Sequence, residues 1–361
     1  MMTTTYKIAA TTLLRYDLGR PVGGSGVTSI DVLVVDLKDS ADNHGLGFSY
    51  ALDGGGTVLL AAAEHLLEQC VRNQKVIAPS ALCQQMQKSL NRIGRGIHYL
   101  AIAAIDVAAW DLHANSLGVQ LGVALGGVMR GVPIYGSAGF RPNMSTDELV
   151  ERSHLYIDKH QCRAIKLRAN GTVTDINNIA AVRDAIPANV GIMVDLNEKC
   201  DLAQAKWFAT ACKPFNLSWL EEPLPSYDFD GYSQLAQSTD IPLACGEHLQ
   251  GRIEFAPYLK AGHVAVAQPD LAMAGGITES LLIAQLADAC NIKLSPHFLP
   301  ALFIHLAAVV PGLSWLEHFP LLESLFDNPI DIDATGNLNA RETPGHGIRF
   351  LDGARAEYQV R

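Results

Sequence analysis

Three short apolar runs in the middle of the chain each end in an acidic residue, and these acids recur at equal spacing. They are Asp195, Glu221 and Glu247, 26 positions apart in both cases. A strand, a helix and two loops fill about that length, so the acids are predicted at the carboxyl ends of successive parallel strands. Carboxylates that converge there repel each other unless a cation lies between them, and oxygen ligands suit Mg²⁺, with Mn²⁺ as a substitute. The alternative of three unrelated surface acids is disfavoured by the matched spacing.

The bulk composition excludes several classes of protein. With 361 residues, 48% hydrophobic and 18% charged, the chain suits an α/β barrel with an extra domain. The formal net charge of −10, without a Lys/Arg run, argues against a nucleic-acid partner. No apolar run approaches the ~20 residues that span a bilayer, which argues against a membrane partner. The seven cysteines are odd in number and form no CxxC pair, so free thiols in a reducing cytoplasm fit best.

Residues 1–130 are predicted to form an α+β domain, because strand patterns come first and helix patterns follow. Gly-rich loops are predicted at Tyr16–Gly26 and Gly54–Gly56. The first loop lacks the strand and helix that flank a dinucleotide-binding GxGxxG motif, so it predicts no nucleotide site. The three strands and three helices are predicted at residues 6–14, 29–37, 45–51, 57–74, 80–93 and 99–116.

From residue 131 to 320 strands alternate strictly with amphipathic helices, which predicts a TIM-type barrel of the (β/α)8 or (β/α)7β kind. Residues 321–361 have no further barrel strand to join and are expected to fold back on the first domain, completing a capping domain. The predicted barrel strands are residues 132–137, 163–168, 191–197, 216–222, 241–247, 263–270, 291–297 and 313–317, with helices such as 174–186, 277–290 and 301–310 between them.

Nearly every predicted barrel strand ends in a polar group that a packed barrel would not need. Barrel active sites lie at these carboxyl ends, so the groups are expected to converge on one site. Charged surface positions are the alternative for Lys166 and Arg168. His248 and His318 each follow a strand-end acid by one residue, so they should face the helical shell and serve the structure. The strand-end groups are Ser137, Lys166, Arg168, Asp195, Asn197, Glu221, Glu247, Asp270, His297 and Glu317.

Two of these groups form a candidate acid–base pair. Asp270 on the sixth strand would hold the imidazole of His297 on the seventh, raise its basicity and fix its tautomer. A polar pair without a catalytic role at the barrel rim is the alternative. A base beside a cation and Lys166 suggests removal of the proton next to a carboxylate. Mg²⁺, Lys166 and a protonated Glu317 would stabilise the enediolate that results.

These residues and their neighbouring motifs resemble the enolase superfamily, specifically its mandelate racemase subgroup, over essentially the whole chain. The resemblance implies metal ligands at Asp195, Glu221 and Glu247, the His297–Asp270 pair as acid and base, and Glu317 bonded to the substrate carboxylate. It also implies a homo-oligomer and a capping domain whose two loops, Tyr16–Gly26 and Ser49–Gly56, choose the substrate. The motifs are AIDVAAWDL (104–112), LGG (125–127), IKLR (165–168), VDLN (194–197), WLEEP (219–223), GE (246–247), QPD (268–270), GGIT (275–278) and SPH (295–297).

The chain departs from this resemblance at Arg168, where racemases of the subgroup carry a second lysine as the base on the opposite face. Arginine stays protonated at working pH and is a poor base. One base, His297, is enough for a syn β-elimination, so the favoured reaction is dehydration of a sugar acid to a 2-keto-3-deoxy acid. Arg168 would help to neutralise the carboxylate or hold a hydroxyl.

Other functions stay open at this stage. A cycloisomerase that opens a sugar lactone or an anhydro-sugar acid starts from the same enolate, and a racemase or epimerase of a 2-hydroxy or amino acid derivative would use Lys166 or Arg168 as a second base. A catalytically silent barrel that only binds a partner is disfavoured, because no ligand or acid–base group is missing. In the cap, Arg20, His44 and Tyr50 are candidate contacts to a small polyhydroxylated or dianionic carboxylate substrate, with Ser137 and Asn197 on the barrel side.

Overall fold

The N-terminal part of the chain is a three-stranded antiparallel sheet with helices packed on it. The structure, a computed structural model, describes residues 4–327 and 330–360. The strands β1 (Tyr6–Val22), β2 (Val27–Asp39) and β3 (His44–Leu52) pair in the order β1-β2-β3. The helices that follow are α1 (Gly56–Cys70), α2 (Pro79–Ser89), α3 (Ile97–Leu117) and the short α4 (Leu121–Ala124).

Helix α3 lies against β3 with almost no space between the two backbones. A Cβ atom at Gly47 would come within 2.1 Å of the Ala104 carbonyl oxygen, and one at Gly45 within 2.2 Å of the Ala108 carbonyl oxygen. Small residues on both elements are therefore required at this contact. Most of α3 is buried, as expected for a helix that is apolar nearly all round.

The loop predicted at Tyr16–Gly26 is wrong for most of its length. Strand β1 continues to Val22, which pairs with Val27, and only residues 23–26 form the turn. The pairing shifts register between Asp17 and Val22, where Gly19 has a φ of +69°, so a bulge accommodates the glycine that suggested a loop. The second Gly-rich loop follows the end of β3 at Leu52, close to its predicted position. Asp53 holds this turn by accepting the Thr28 and Ser29 N–H groups. The first residues of the Ser49–Gly56 segment are therefore strand.

A closed barrel of eight parallel strands follows, as predicted. Its hydrogen-bonded segments are shorter than the predicted strands, because the chain leaves the ladder at the polar strand ends. The strands are β4 (Val132–Gly136), β5 (Ala164–Arg168), β6 (Gly191–Asp195), β7 (Trp219–Glu221), β8 (Leu243–Cys245), β9 (Val266–Ala267), β10 (Lys293–Leu294) and β11 (Leu316–His318). Strand β11 pairs in parallel with β4, and a Leu294–Leu313 bridge joins β10 to the segment before β11, which closes the ring.

Helices surround the barrel, and inward-facing side chains fill it. The inner cluster contains Tyr135, Ala164, Met193, Trp219, Ala244 and Val266, each from a different strand. The outer helices are α5 (Thr146–His154), α6 (Val173–Ala185), α7 (Leu202–Cys212), α8 (Phe229–Ala236), α9 (Gly251–Ala261), α10 (Leu271–Ala274), α11 (Ile277–Ala289) and α12 (Pro300–Phe303). In residues 4–327 and 330–360 no helix is long and apolar enough to cross a membrane.

The C-terminal segment completes the N-terminal domain, although part of it joins the barrel. Strands β12 (Asp331–Ile332) and β13 (Asn337–Asn339) form a hairpin, and β13 pairs antiparallel with β4, a pairing that the sequence did not predict. The chain then returns to the cap as expected. There Phe350 packs on Phe48, and helix α13 (Ala354–Tyr358) lies against β1. Arg355 of this helix donates to Asp36 at 2.9 Å.

Buried polar contacts fix the cap on the barrel. Asp106 of α3 accepts hydrogen bonds from the backbone N–H and the hydroxyl of Thr278 at the start of α11, at 2.8 and 2.6 Å. Trp110 Nε1 donates to the same hydroxyl at 2.9 Å. The turn between β1 and β2 is also bonded to the barrel, because Lys199, which follows β6, donates from Nζ to the Gly24 carbonyl at 3.0 Å. The cap therefore covers the carboxyl ends of the barrel strands.

Candidate active site

The three equally spaced acids meet at the carboxyl ends of neighbouring strands, as their spacing predicts. Asp195 and Glu221 are the last residues of β6 and β7 and pair in register, and Glu247 follows β8. Carboxylate oxygens from Asp195, Glu221 and Glu247 all lie within 4.8 Å of one another. Asp195 and Glu221 are buried, whereas the Glu247 side chain is 11% exposed.

This cluster suits a hard divalent cation. It offers oxygen ligands only, at the mutual distances that one ion can bridge. Among the described residues, Glu247 Oε2 is buried without a hydrogen-bond partner, so it has a free lone pair for a ligand. Burial raises the pKa of Glu221 to about 7, which shows how poorly the protein alone tolerates its charge. The residues present therefore fit a metal ion.

Two cations from β5 lie against these acids. Lys166 and Arg168 are two residues apart and point the same way, as predicted. Lys166 Nζ lies 3.6 Å from Asp195 Oδ2 and also contacts Glu221, while the Arg168 guanidinium contacts Asp195. Burial disfavours both charges, but the carboxylates outweigh it and raise the pKa of Lys166 and of Arg168 above their ordinary values. Both side chains therefore stay cationic.

Glu317 accepts hydrogen bonds in this arrangement, which differs from the protonated donor that the sequence suggested. Its Oε1 lies 2.9 Å from Lys166 Nζ, and its Oε2 accepts the Phe298 N–H at 2.9 Å. Burial alone would raise the pKa of Glu317, but Lys166, His297 and Arg168 outweigh it and lower the pKa below its ordinary value. A buried carboxylate with three cationic neighbours is ionised.

The predicted acid–base pair is present, and a residue of the cap extends it. Asp270 Oδ2 accepts from His297 Nδ1 at 2.9 Å and also from the Tyr50 hydroxyl, while Asp270 Oδ1 accepts the Met273 N–H at 3.0 Å. Three donors thus fix the carboxylate. Burial, followed by the charge of Asp270, raises the pKa of Tyr50 well above 10, so Tyr50 always donates.

The free edge of the His297 ring faces the carboxylates. Its Nε2 lies 3.4 Å from Glu247 Oε2 and 3.9 Å from Glu317 Oε2, and the side chain is 15% exposed. Burial lowers the pKa of His297, but Glu247, the Asp270 hydrogen bond and Glu317 outweigh it and raise the pKa to about 10. Because Nδ1 is committed to Asp270, Nε2 is the atom that can exchange a proton with a ligand.

The backbone beyond the strand ends is unusually bent. Left-handed φ angles, from 36° to 61°, cluster at five non-glycine residues there: Asn197, Glu198, Glu222, Phe298 and Leu299. Such residues are rare and persist only where the surroundings fix them. Their concentration at the carboxyl ends of β6, β7 and β10 supports a functional role for this end of the barrel.

A narrow cavity of about 50 Å³ lies between these groups and the cap. The turn at residues 22–25 and the side chains of Tyr50 and Leu52 form its roof, and Phe298 and Phe319 form part of its wall. Arg168, Asn197, Glu247 and His297 line its floor. The floor thus presents the candidate base and one free metal-ligand oxygen to whatever enters.

A second, wider cavity of about 300 Å³ lies beside the first, and we call it the arginine cavity because Arg20, Arg141 and Arg152 line it. It lies between β1 of the cap and the segments after β4 and β11. Val22, Gly23, Phe319 and Leu321 line both cavities, so the two are adjacent. Arg20 therefore faces the arginine cavity and not the narrow one.

The other predicted substrate contacts differ in their placement. Asn197 lines the narrow cavity and donates to Glu247 Oε1 at 3.3 Å. Ser137 is buried behind it and accepts from Arg168 Nη2 at 3.3 Å. The prediction for His44 is wrong: it is exposed at the opposite end of β3 from Tyr50, roughly 20 Å away at the rise of an extended strand. The sequence predicts a strand that begins next to His44 but does not indicate which end of that strand faces the barrel.

His318 packs among aromatic rings of the shell, as predicted, with ring centroids 5.8 Å from Tyr156 and 5.2 Å from His160. His248 also lies outside the cavity lining, and its Nδ1 bonds Glu222 Oε2 at 2.7 Å. Glu198 completes a second group of ligand-type side chains there, but its Oε1 already accepts the Ser226 N–H. These internal bonds account for the group without a ligand.

Two buried donors to Glu221 were missed from the sequence. Trp219 Nε1 and Gln268 Nε2 each donate to Glu221 Oε2 at 2.8 Å. Each lies two positions before a strand-end acid, Trp219 before Glu221 and Gln268 before Asp270. Because side chains two apart share one face of a strand, this offset could have identified both.

A comparison with protein families now decides the classification. The family described as enolase C-terminal domain-like matches residues 148–354, which includes the metal-ligand cluster and both members of the acid–base pair. The chain belongs to the enolase superfamily. This superfamily member has the barrel and the separate antiparallel cap that its solved relatives share.

Individual relatives cover nearly the whole chain. An L-talarate/galactarate dehydratase from Salmonella typhimurium is 30% identical over 340 residues, 92% of this chain and 84% of the relative. A 3,6-anhydro-alpha-L-galactonate cycloisomerase from Streptomyces coelicolor is 29% identical, over 88% of each chain. The crystal structure of an L-talarate dehydratase from Polaromonas sp. JS666, complexed with Mg and L-glucarate, is 31% identical with a TM-score of 0.90, covering 99% of this chain and 98% of the other.

Proposed function

We propose that this protein is a Mg²⁺-dependent dehydratase that converts a sugar acid to a 2-keto-3-deoxy acid. One observation carries the proposal: among the described residues that line the narrow cavity, His297 is the single nitrogen base. His297 has a free Nε2 toward the narrow cavity, whereas Lys166 and Arg168 are held as cations by Asp195, Glu221 and Glu317. Elimination needs one base, and racemisation needs one on each face of the substrate. The dehydratase relatives support the same reaction.

The residues divide the work between binding and proton transfer. Asp195, Glu221 and Glu247 would hold the metal ion. When bound, Mg²⁺ supplies positive charge that stabilises the enediolate and offsets the charge of Glu247 beside His297. Lys166 adds a fixed cation next to the substrate carboxylate, and Arg168 adds another or holds a hydroxyl.

His297 performs both proton transfers in the proposed reaction. Its Nε2 takes the proton from C2, while Asp270 holds Nδ1–H and stabilises the imidazolium. The imidazolium then returns this proton to the hydroxyl that leaves from C3 on the same face, so water is lost and the base is restored. The resulting enol becomes the 2-keto-3-deoxy acid by taking up a proton at C3.

The test is a screen of the purified protein with Mg²⁺ against aldonic acids, aldaric acids and their lactones. Products are assayed for 2-keto acid and measured by mass spectrometry. A keto acid lighter than the substrate by one water supports the proposal. Deuterium incorporation at C2 from D₂O without any keto acid would replace it with an epimerase.

Ring opening by a cycloisomerase is the second candidate, favoured by the relative of that activity. The same His297-centred elimination would open a lactone or an anhydro ring, with the ring oxygen as the leaving group. The product then keeps the mass of the substrate, so the mass measurement in the same screen separates the two reactions.

A further inference from the structure

The narrow cavity above the proposed catalytic groups, about 50 Å³ in volume, adjoins a larger space. A five- or six-carbon chain whose reacting end lies over the metal-ligand cluster can continue into that space. The adjacent arginine cavity, with about 300 Å³ and four lining residues in common, is the available space.

Among the described residues, the lining of the arginine cavity carries three positive charges and no carboxylate. Arg20 comes from the cap, whereas Arg141 and Arg152 come from the barrel, so the charges surround the space from both domains. The hydroxyls of Tyr16 and Ser324, which bond each other at 2.7 Å, add polar groups suited to a polyol. Guanidinium groups bind carboxylates in bidentate geometry.

Glu148, Glu151 and Asp158 line a neighbouring cavity that Arg141 and Arg152 also border, but among the described residues none of these acids forms an ion pair with either arginine. The charges of Arg141 and Arg152 help to lower the pKa of Glu148, but its carboxylate is hydrogen-bonded by Ser145. The Ser145 N–H and hydroxyl both donate to it at 2.8 Å. Within the described chain no ion pair joins Arg20, Arg141 or Arg152 to an acid. A cavity with this charge favours an anionic group over the neutral CH₂OH terminus of a monoacid.

We infer that the arginine cavity binds the distal carboxylate of the substrate, so that the protein acts on dicarboxylic sugar acids in preference to monocarboxylic ones. This inference rests on the proposed function. The reacting carboxylate lies over the metal-ligand cluster, and the second carboxylate lies among Arg20, Arg141 and Arg152. Recognition of two charges at once gives a selectivity that the catalytic groups alone cannot supply.

The test compares aldaric acids with the aldonic acids of matching stereochemistry, such as galactarate with galactonate. We expect kcat/KM to be at least tenfold higher for the diacid. Arg20→Met and Arg152→Met should each raise KM for the diacid about tenfold, leave its kcat nearly unchanged, and have little effect on the monoacid. Arg92→Met, at an exposed arginine of the cap that lines neither cavity, is the matched control and should change kcat and KM for neither substrate.

The outcomes separate this inference from the proposed function. Equal kcat/KM for a matched diacid and monoacid would overturn the arginine cavity as a carboxylate site. An equal fall in kcat/KM for both substrates in the arginine variants would do the same. In either case the dehydration proposal would stand. Absence of a keto acid from every substrate would remove the proposed function itself. Retained diacid preference in an Arg20→Met/Arg152→Met double variant would also contradict the inference.

Discussion

The proposed catalytic groups at the barrel strand ends and the arginine cavity beside them differ in how their charges are held. Lys166, Asp195 and Glu317 are fully buried, and each contacts an opposite charge. Arg20 and Arg141 are exposed and face a wide space without an acid in its lining. The charged groups of the first region are held in place by one another, whereas the arginines of the second region are available to pair with a charged ligand.

This difference indicates where chemistry and selectivity reside. A buried charge network tolerates little change, because removing one partner leaves the other charge unpaired in a low-dielectric site. Exposed arginines on a cap and a loop can be replaced with little cost to folding. Mutations in the first region should therefore change kcat, and mutations in the second should change KM for particular substrates.

The largest expected effect is that of His297→Asn. Asparagine can still donate to Asp270 but cannot take a proton, so kcat should fall roughly 10³-fold. Mn²⁺ affinity, measured by titration with electron paramagnetic resonance, should stay within about threefold of the parent, because His297 is not among the proposed ligands. His98→Asn, at a partly exposed position of α3, is the control. Turnover that survives in His297→Asn would sink the assignment of the base.

A smaller loss is expected when a donor to a metal ligand is removed. Gln268→Met keeps the side-chain length but deletes the hydrogen bond to Glu221 Oε2. Divalent-cation affinity should fall about tenfold, as for other outer-sphere partners of metal ligands. Isothermal titration with Mg²⁺ measures this, with Gln237→Met, an exposed glutamine after α8, as the control. Unchanged affinity would mean that Trp219 and Lys166 orient Glu221 without help from Gln268.

Tyr50→Phe tests whether the cap takes part in catalysis as well as in selectivity. The variant keeps the edge-to-face packing on Phe298, with centroids 5.3 Å apart, and removes one of the three donors that fix Asp270. We expect kcat to fall about tenfold with KM within twofold, because the carboxylate that orients His297 gains freedom.

Tyr227→Phe, at a fully solvent-facing tyrosine with 86% exposure, is the matched control. A rise in KM without a change in kcat would instead show that the Tyr50 hydroxyl contacts the substrate. In that case the cap would contribute to substrate selectivity only. Catalysis would then depend on the barrel alone, despite the contact between Tyr50 and Asp270.

Regular spacing explains why much of the catalytic region could be predicted from the sequence. Asp195, Glu221 and Glu247 follow from the repeat of strand and helix, and the His297–Asp270 contact follows from neighbouring strands. The Tyr50 hydroxyl bond to Asp270 could not be found, because 220 residues separate the partners and no periodicity relates cap to barrel. The strand end at Tyr16–Val22 was mistaken for a loop because Gly19 lies at a bulge in a paired strand and further glycines form the turn that follows.

The smallest effect concerns stability and lies outside both regions. Burial lowers the pKa of His318 to about 4, well below its ordinary 6.5, and His160 adds to the shift. The folded state therefore binds fewer protons than the unfolded chain. The contribution of His318 to the free energy of unfolding is complete above about pH 6.5 and is lost as the pH falls toward 4. The loss is about 2 kcal/mol by pH 5 at these pKa values.

His318→Phe preserves the ring packing on Tyr156 and removes the titrating group, so its unfolding free energy should decline less between pH 7.5 and pH 5 than that of the parent. Urea unfolding at the two pH values measures the difference, and His65→Phe, at an exposed position of α1, should behave like the parent. An equal decline in His318→Phe and the parent would assign the acid sensitivity to the buried carboxylates instead. Such a result would mean that the buried charges of the proposed catalytic region, among them Glu317, set the stability of the fold at low pH. The two regions would then also differ in their tolerance of acid, because the arginine cavity contains no buried carboxylate among its described residues.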